Sequence, residues 1–417
     1  MQSQSPPDGS DWTGIWFGLG IALLAAYQQF KLPPVLPEML DRFAYGEVLA
    51  GGFMSIFAGI GLVTSLKIGQ AMQRQSTAAW LIGACVLIGI GAVPILALPE
   101  NGWVVMAGRA LEGIAMAILA VAGPTLMTRN AAPRHVPIAA AIAATWVPLG
   151  GLLGAAVARA ADSFALSGGT WPAVWWVGLV FAAAMAFWTL ILARGDGRRL
   201  ALPTAKGGAP DLTAADRRAL ILVAVCFCFW ALQNIAVFSW LPEYLNSARG
   251  LGDAAAKELY GLTAITVALF NLLAALFLRY VPIALLLAIV LAGQASVLVV
   301  GPLAGTDWTG ILVLIAYGAF AGVTPTCLFG LPGLLLGPGG RGPAAFGLLL
   351  TGRNLGVLCG PLLVGWIGGG AFMDAFGWTT DPWMLGWWTA AASAVLALIA
   401  AALIHRGRRG AGQGTSL

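Results

Sequence analysis

The chain has 417 residues, of which 59% are hydrophobic and only 9% charged, with a net charge of +5. Soluble domains carry about 25% charged residues, so this chain lacks the polar surface to cover a water-soluble fold, and its mean hydropathy of +0.86 agrees. Disorder, coiled coil, nucleic-acid binding and a soluble enzyme core are disfavoured, and the sequence reads as an integral membrane protein.

A spanning helix needs about 20 mostly apolar residues. Cutting the apolar runs at charges, Pro and Gly clusters predicts twelve spans, at 13–40, 47–71, 77–98, 103–127, 137–160, 172–194, 219–246, 258–279, 283–303, 308–336, 343–368 and 384–405. The runs are too long for strands and lack period-two alternation. The first run does not read as a signal peptide, because Asp8 and Asp11 precede it and no Lys or Arg occurs before Lys31. Late in span 1, Lys31 is followed by Leu32-Pro33-Pro34, which must break the helix and free carbonyls. The only long polar connection runs from Arg194 to Arg218, with six spans on either side. The expected domains are therefore a six-helix bundle over 1–194, a central loop over 195–218 and a second six-helix bundle over 219–417.

Lys and Arg set the orientation. With both termini on one side, that side carries 15 of the 22 cations, the other side only Arg42, Arg159, Arg249 and Lys257, and the spans Lys31, Arg109 and Arg353. Such a bias places both termini and the central loop in the cytoplasm. All five cysteines lie inside apolar runs, so neither a disulfide framework nor a metal site is expected. The composition offers no nucleotide loop and no nucleophile–base constellation, so no cofactor and no enzyme activity are expected.

The halves echo one another. Gln28-Gln29 followed by Leu36-Pro37-Glu38-Met39-Leu40 recurs 205 residues later as Gln233-Asn234 followed by Leu241-Pro242-Glu243-Tyr244-Leu245. Thr145, Leu149, Gly150 and Gly154 recur at an offset of 206 as Thr351, Leu355, Gly356 and Gly360, and Pro124-Thr125 at 201 as Pro325-Thr326. Three echoes at nearly one offset indicate parallel repeats around a shared midplane site.

On these features the chain resembles the major facilitator superfamily over essentially its whole length. The loop after span 2 carries Gly69 and Arg74 of that family's Gly-x-x-x-Asp-Arg-x-Gly-Arg element, with Gln73, Ser76 and Thr77 departing from it. Span 4 carries Arg109-Ala110-Leu111-Glu112-Gly113, similar to the family's Arg-x-x-x-Gly element. The resemblance implies an all-α polytopic membrane protein of twelve helices in two six-helix repeats, working by alternating access. The proline-rich end of span 1 and the sparse charges resemble bacterial anion or organic-acid porters. A multi-pass bacterial inner membrane protein, monomeric and coupled to a proton gradient, is the corresponding expectation.

Ionisable groups inside spans are expensive and mark function. Arg353, about ten residues into span 11, reads as an anion anchor, or as a structural donor to helix carbonyls. Lys31 reads as a second anion contact, or as a lysine snorkelling to the interface. Arg109 and Glu112 share a helix face, and Glu112 is the only carboxylate deep in any span. The pair reads as a proton-coupling centre or as a fixed ion pair. Gln28, Gln29, Gln233 and Asn234, at repeat-related positions, are candidate substrate contacts, with Gln29 and Asn234 favoured, and Trp146 a candidate cavity wall. Gly150, Gly154, Gly356 and Gly360 are candidates for close helix packing and, with Gly69 and Arg74, for gating. Two cations beyond the Arg109–Glu112 pair favour a small anionic substrate. The alternatives are a proton-coupled exporter of lipophilic or cationic drugs, and a non-transporting sensor or assembly factor on the same fold.

Overall fold

The computed structural model describes residues 9–72, 76–132, 145–164, 169–195, 198–200, 214–336 and 343–410, together with 135, 139, 142 and 143. All regular structure among them is helical. Twelve long helices follow the chain: α1 (Trp12–Phe30), α2 (Glu47–Met72), α3 (Thr77–Ala97), α4 (Gly102–Arg129), α5 (Trp146–Ser163) and α6 (Trp171–Arg194) in the first half. The second half contributes α7 (Ala214–Glu243), α8 (Asp253–Phe277), α9 (Ile283–Val300), α10 (Trp308–Leu336), α11 (Pro343–Gly368) and α12 (Pro382–Gly410). Among the described residues nine helices are long and apolar enough to cross a membrane. The remaining three, α1, α2 and α5, pack against α4, α11 and α8, respectively.

Local chemistry sets the ends of these helices. Asp11, Ser76 and Asn101 cap α1, α3 and α4 by accepting from backbone N–H groups in the first turn. Span 1 is not one helix over 13–40. Lys31 closes α1, Pro33–Val35 forms a 3₁₀ turn, and a short helix over Leu36–Phe43 ends at Ala44 in the left-handed region, φ 50°. The Glu38 carboxylate on that short helix accepts from the N–H groups of Thr170 and Trp171, both at 3.0 Å, and so caps α6. Span 8 starts five residues earlier than the hydropathy suggests, at Asp253. A further short helix, Ala371–Phe376, joins α11 to α12 and is too short to register as a span.

One apolar core is built wholly from the first half, around Phe17, Ile21, Leu81, Ile88 and Leu119. Another is built mainly from the second, around Phe227, Leu287, Leu291 and Leu328. The halves meet along two seams. In the first, α2 lies on α11, with Gly51 against Pro361 and Gly59 against Leu358. In the second, α5 lies on α8, with Gly151 against Tyr260 and Ala264, and Gly261 against Ala155. These contacts lie from the middle of the bundle toward the face opposite the start of α1. Two ion pairs cross the second seam on that side: Lys257–Asp162 at 2.9 Å and Arg159–Glu258 at 2.9 Å.

Candidate functional site

Breaking span 1 leaves backbone carbonyls without partners. The carbonyl of Gln29 has Pro33 four residues ahead, and proline has no N–H to give. Arg109 of α4 fills the gap: Nη2 donates to Gln29 O at 3.3 Å, Nη1 to Gln28 O at 2.8 Å, and Nε to Phe53 O of α2 at 3.3 Å. Its guanidinium lies over the Phe57 ring, 4.2 Å from the centroid. One arginine thus ties α4 to the broken end of α1 and to α2.

The same break delivers Lys31 to Glu112. Lys31 Nζ donates to Glu112 Oε1 at 2.7 Å and to Gln28 Oε1 at 2.5 Å, and stands 4.8 Å from the centre of the Trp175 ring. Arg109 Nη1 donates to the other carboxylate oxygen, Oε2, at 2.7 Å. All three side chains are fully buried. Glu112 therefore has one cation on each oxygen, and the cluster carries one net positive charge. Lys31 neither reaches the interface nor stands free in a cavity. Tyr27 OH, donating to Val174 O at 2.7 Å, pins the same stretch of α1 to α6.

The repeat-related stretch of α7 is built differently. Gln233 Nε2 donates to Gln294 Oε1 at 2.7 Å, and Gln294 Nε2 to Thr324 Oγ1 at 2.9 Å. Tyr317 OH lies 3.1 Å from Gln233 Oε1 and 3.2 Å from Asn234 Oδ1. This is a neutral network across α7, α9 and α10, fully buried at Gln233, Gln294, Tyr317 and Thr324. Gln294, Tyr317 and Thr324 escape sequence reading, because single polar residues inside long apolar runs give no periodic signal. Asp162, Lys257, Arg159 and Glu258 escape it as a group. The clue in the sequence is that Arg159 and Lys257 are two of only four cations expected on that face.

Arg353 stands apart from both clusters. It is half-buried on α11, and its Nη1 donates to Asn354 Oδ1 at 3.1 Å. Trp146, half-buried at the start of α5, packs against both the first-half and second-half cores. Around the charged cluster, Gln28 Nε2 and Gln29 Oε1 are buried without a hydrogen-bond partner in the protein. The glycines hold helices at backbone contact: a Cβ on Gly150 would meet Ala26 at 2.2 Å, on Gly154 Phe30 O at 2.8 Å, on Gly356 Cys228 O at 2.0 Å, and on Gly360 Leu232 O at 2.3 Å. Gly69 lies in the last turn of α2. Arg74 lies outside the described residues.

Twelve long helices, nine of them among the described residues long and apolar enough to cross a membrane, meet along two seams around buried polar clusters and define a polytopic helical membrane protein. A sequence model of the Major Facilitator Superfamily matches residues 18–361, and the chain belongs to that family. Two solved structures share the fold. A bacterial homolog of the human lysosomal transporter Spinster, in an inward-facing and occupied conformation, is 15% identical with a TM-score of 0.68, covering 98% of each chain. The inward-facing and unoccupied form is 17% identical with a TM-score of 0.67, covering 95% of this chain and 97% of that one. No curated protein sequence matches the chain at a significant level.

Proposed function

We propose that the protein is a proton-coupled secondary transporter of a small anion or organic acid, working by alternating access in a bacterial inner membrane with both termini cytoplasmic. The observation that carries this reading is the charge balance of the interior. Lys31 and Arg109 are fully buried against one carboxylate, Glu112, the only acid among the buried described residues, and a further cation, Arg353, stands half-buried within the predicted span 11. A positive interior favours anionic cargo, and an exporter of cations would need a buried acid not already shared by two cations.

The cluster suggests how proton and anion travel together. While Glu112 is ionised it satisfies both cations. A proton placed on it weakens both contacts and frees positive charge for an anion to occupy. The anion then binds best when the proton is bound, which is symport. The halves 1–194 and 219–417 are the proposed moving units, and closure at the seams corresponds to a state open toward the cytoplasm.

Uptake into proteoliposomes of a panel of monocarboxylates, hydroxy acids and inorganic anions, with and without a pH gradient, tests the reading. At least one anion should accumulate with the proton gradient. Glu112→Gln should abolish that accumulation and leave exchange between preloaded vesicles measurable. Transport of cations alone, or gradient-driven accumulation that survives Glu112→Gln, refutes it.

A further inference from the structure

Each seam between the halves contains one buried hydroxyl with no hydrogen-bond partner in the protein: Ser55 and Tyr260. Ser55 lies on α2, one turn from Gly51 and one turn from Gly59, the glycines that face Pro361 and Leu358 of α11. Tyr260 lies on α8, and its hydroxyl faces Gly151 of α5, whose added Cβ would stand 3.5 Å away. Exposure is 1% for Ser55 and 0% for Tyr260. A hydroxyl on a helix ordinarily finds the carbonyl four residues back, as Thr263 Oγ1 finds Leu259 O at 2.8 Å. Ser55 makes no such bond.

These two positions are 205 residues apart, the offset that relates Gln28-Gln29 to Gln233-Asn234. Their neighbours obey it too. Gly51, Ser55 and Gly59 on α2 correspond to Ala256, Tyr260 and Ala264 on α8, so a hydroxyl between two small residues recurs at the equivalent point of both seams.

A hydroxyl sealed from water without a partner is destabilising, and the penalty disappears once water reaches it. Everything else described along the seams favours closure: close packing at the glycines, Gly51 against the Pro361 backbone among them, apolar contacts and, in the second seam, two ion pairs. We propose that Ser55 and Tyr260 are a matched pair of counterweights that keep the closed seams from becoming a trap. Their equivalent placement penalises both seams together, so that the halves part as whole bodies instead of hinging at one edge. This inference rests on the alternating-access reading but on no particular substrate.

The test uses the full chain in proteoliposomes with Ala155→Cys as reporter. Ala155 is 3% exposed and lies in the α5–α8 seam against Gly261. Modification of the introduced thiol by N-ethylmaleimide, followed at that site by mass spectrometry, tracks the fraction of time the seam is open. Tyr260→Phe and Ser55→Ala should each slow labelling about tenfold, and together about a hundredfold, with melting temperatures at or above that of the parent. Thr263→Val, which removes a hydroxyl already bonded within its own helix, should leave the rate unchanged. The Ser55→Ala arm is decisive, because Ser55 sits in the other seam and its removal cannot alter the packing around the reporter thiol. An unchanged or faster rate in Ser55→Ala overturns the proposal. So does a lower melting temperature in both hydroxyl variants, which would mean that the groups are satisfied. If the reporter thiol is never labelled in any variant, the halves do not part, and the alternating-access reading fails along with the inference.

Discussion

Replacing Glu112 by Gln removes the charge shared by two cations without changing the shape of the side chain. Both contacts are 2.7 Å long and all three groups are fully buried, so Lys31 and Arg109 would be left facing each other across a neutral amide. Removing one partner of a buried ion pair costs about 3–5 kcal/mol, because the surviving charge stays desolvated and uncompensated. Lys31→Met is a different perturbation. It takes away one cation, keeps most of the side-chain volume and leaves Arg109 and Glu112 as a balanced pair. Its cost should stay below about 2 kcal/mol, mostly the lost bonds to Glu112 and Gln28. Scaling the usual unfolding entropy per residue to this length makes 1 kcal/mol worth about 1 °C. Glu112→Gln should therefore melt about 3–5 °C below the parent, and Lys31→Met within about 2 °C of it. The double variant leaves only Arg109 unpaired and should recover part of the Glu112→Gln loss, a coupling of about 1–3 kcal/mol. Thermal melts of the four purified proteins in one detergent measure all of this. If Lys31→Met melts as low as Glu112→Gln, or the double variant lower than both, the positive charge balance assigned to the cluster is wrong.

Arg353→Ala should weaken binding of the transported anion about 10- to 100-fold while the protein stays folded, and Arg353→Lys, which keeps charge but loses the fork, should fall between; near-normal affinity in the alanine variant, read by equilibrium binding, would remove Arg353 from the site. Gly356→Ala should lower the melting temperature by an amount equivalent to about 1–3 kcal/mol, because its new Cβ would stand 2.0 Å from Cys228 O. Gly83→Ala, where nothing lies within 4 Å, should be neutral or stabilising in the same measurement. A reporter fused after Arg199 or at the C-terminus should read cytoplasmic, as the loop cations require, and a periplasmic signal at either place would invert the orientation.

Features that depend on neighbours in sequence are legible in the sequence itself. The Leu32-Pro33-Pro34 break follows from proline chemistry alone, and Arg109 and Glu112 share a face because three residues nearly complete a turn. Partnerships across the chain could not be read that way. Lys31 and Glu112 are 81 residues apart and meet only because the break in α1 turns the lysine toward α4. The sequence repeat aligns Gln28-Gln29 with Gln233-Asn234, yet it says nothing of their surroundings. One pair lies beside three charges and the other within a neutral amide and hydroxyl network. The ion pairs Lys257–Asp162 and Arg159–Glu258 are hidden for a related reason: the number of loop charges on each side sets orientation but does not say who faces whom. The helix over Ala371–Phe376 was missed because six residues are too few to show a period.

Lys31, Arg109 and Glu112 all sit on α1 and α4 and hold one another directly, so any rocking of that half carries them as a single block. An electric field across a bilayer does work only on charge that changes depth, about 2.3 kcal/mol for each unit carried through 100 mV. A block in which opposite signs move together, with only one unit left over and no need to cross the membrane, has little gating charge. Voltage then has little grip on this block, and a current recorded during the transport cycle would owe little to it.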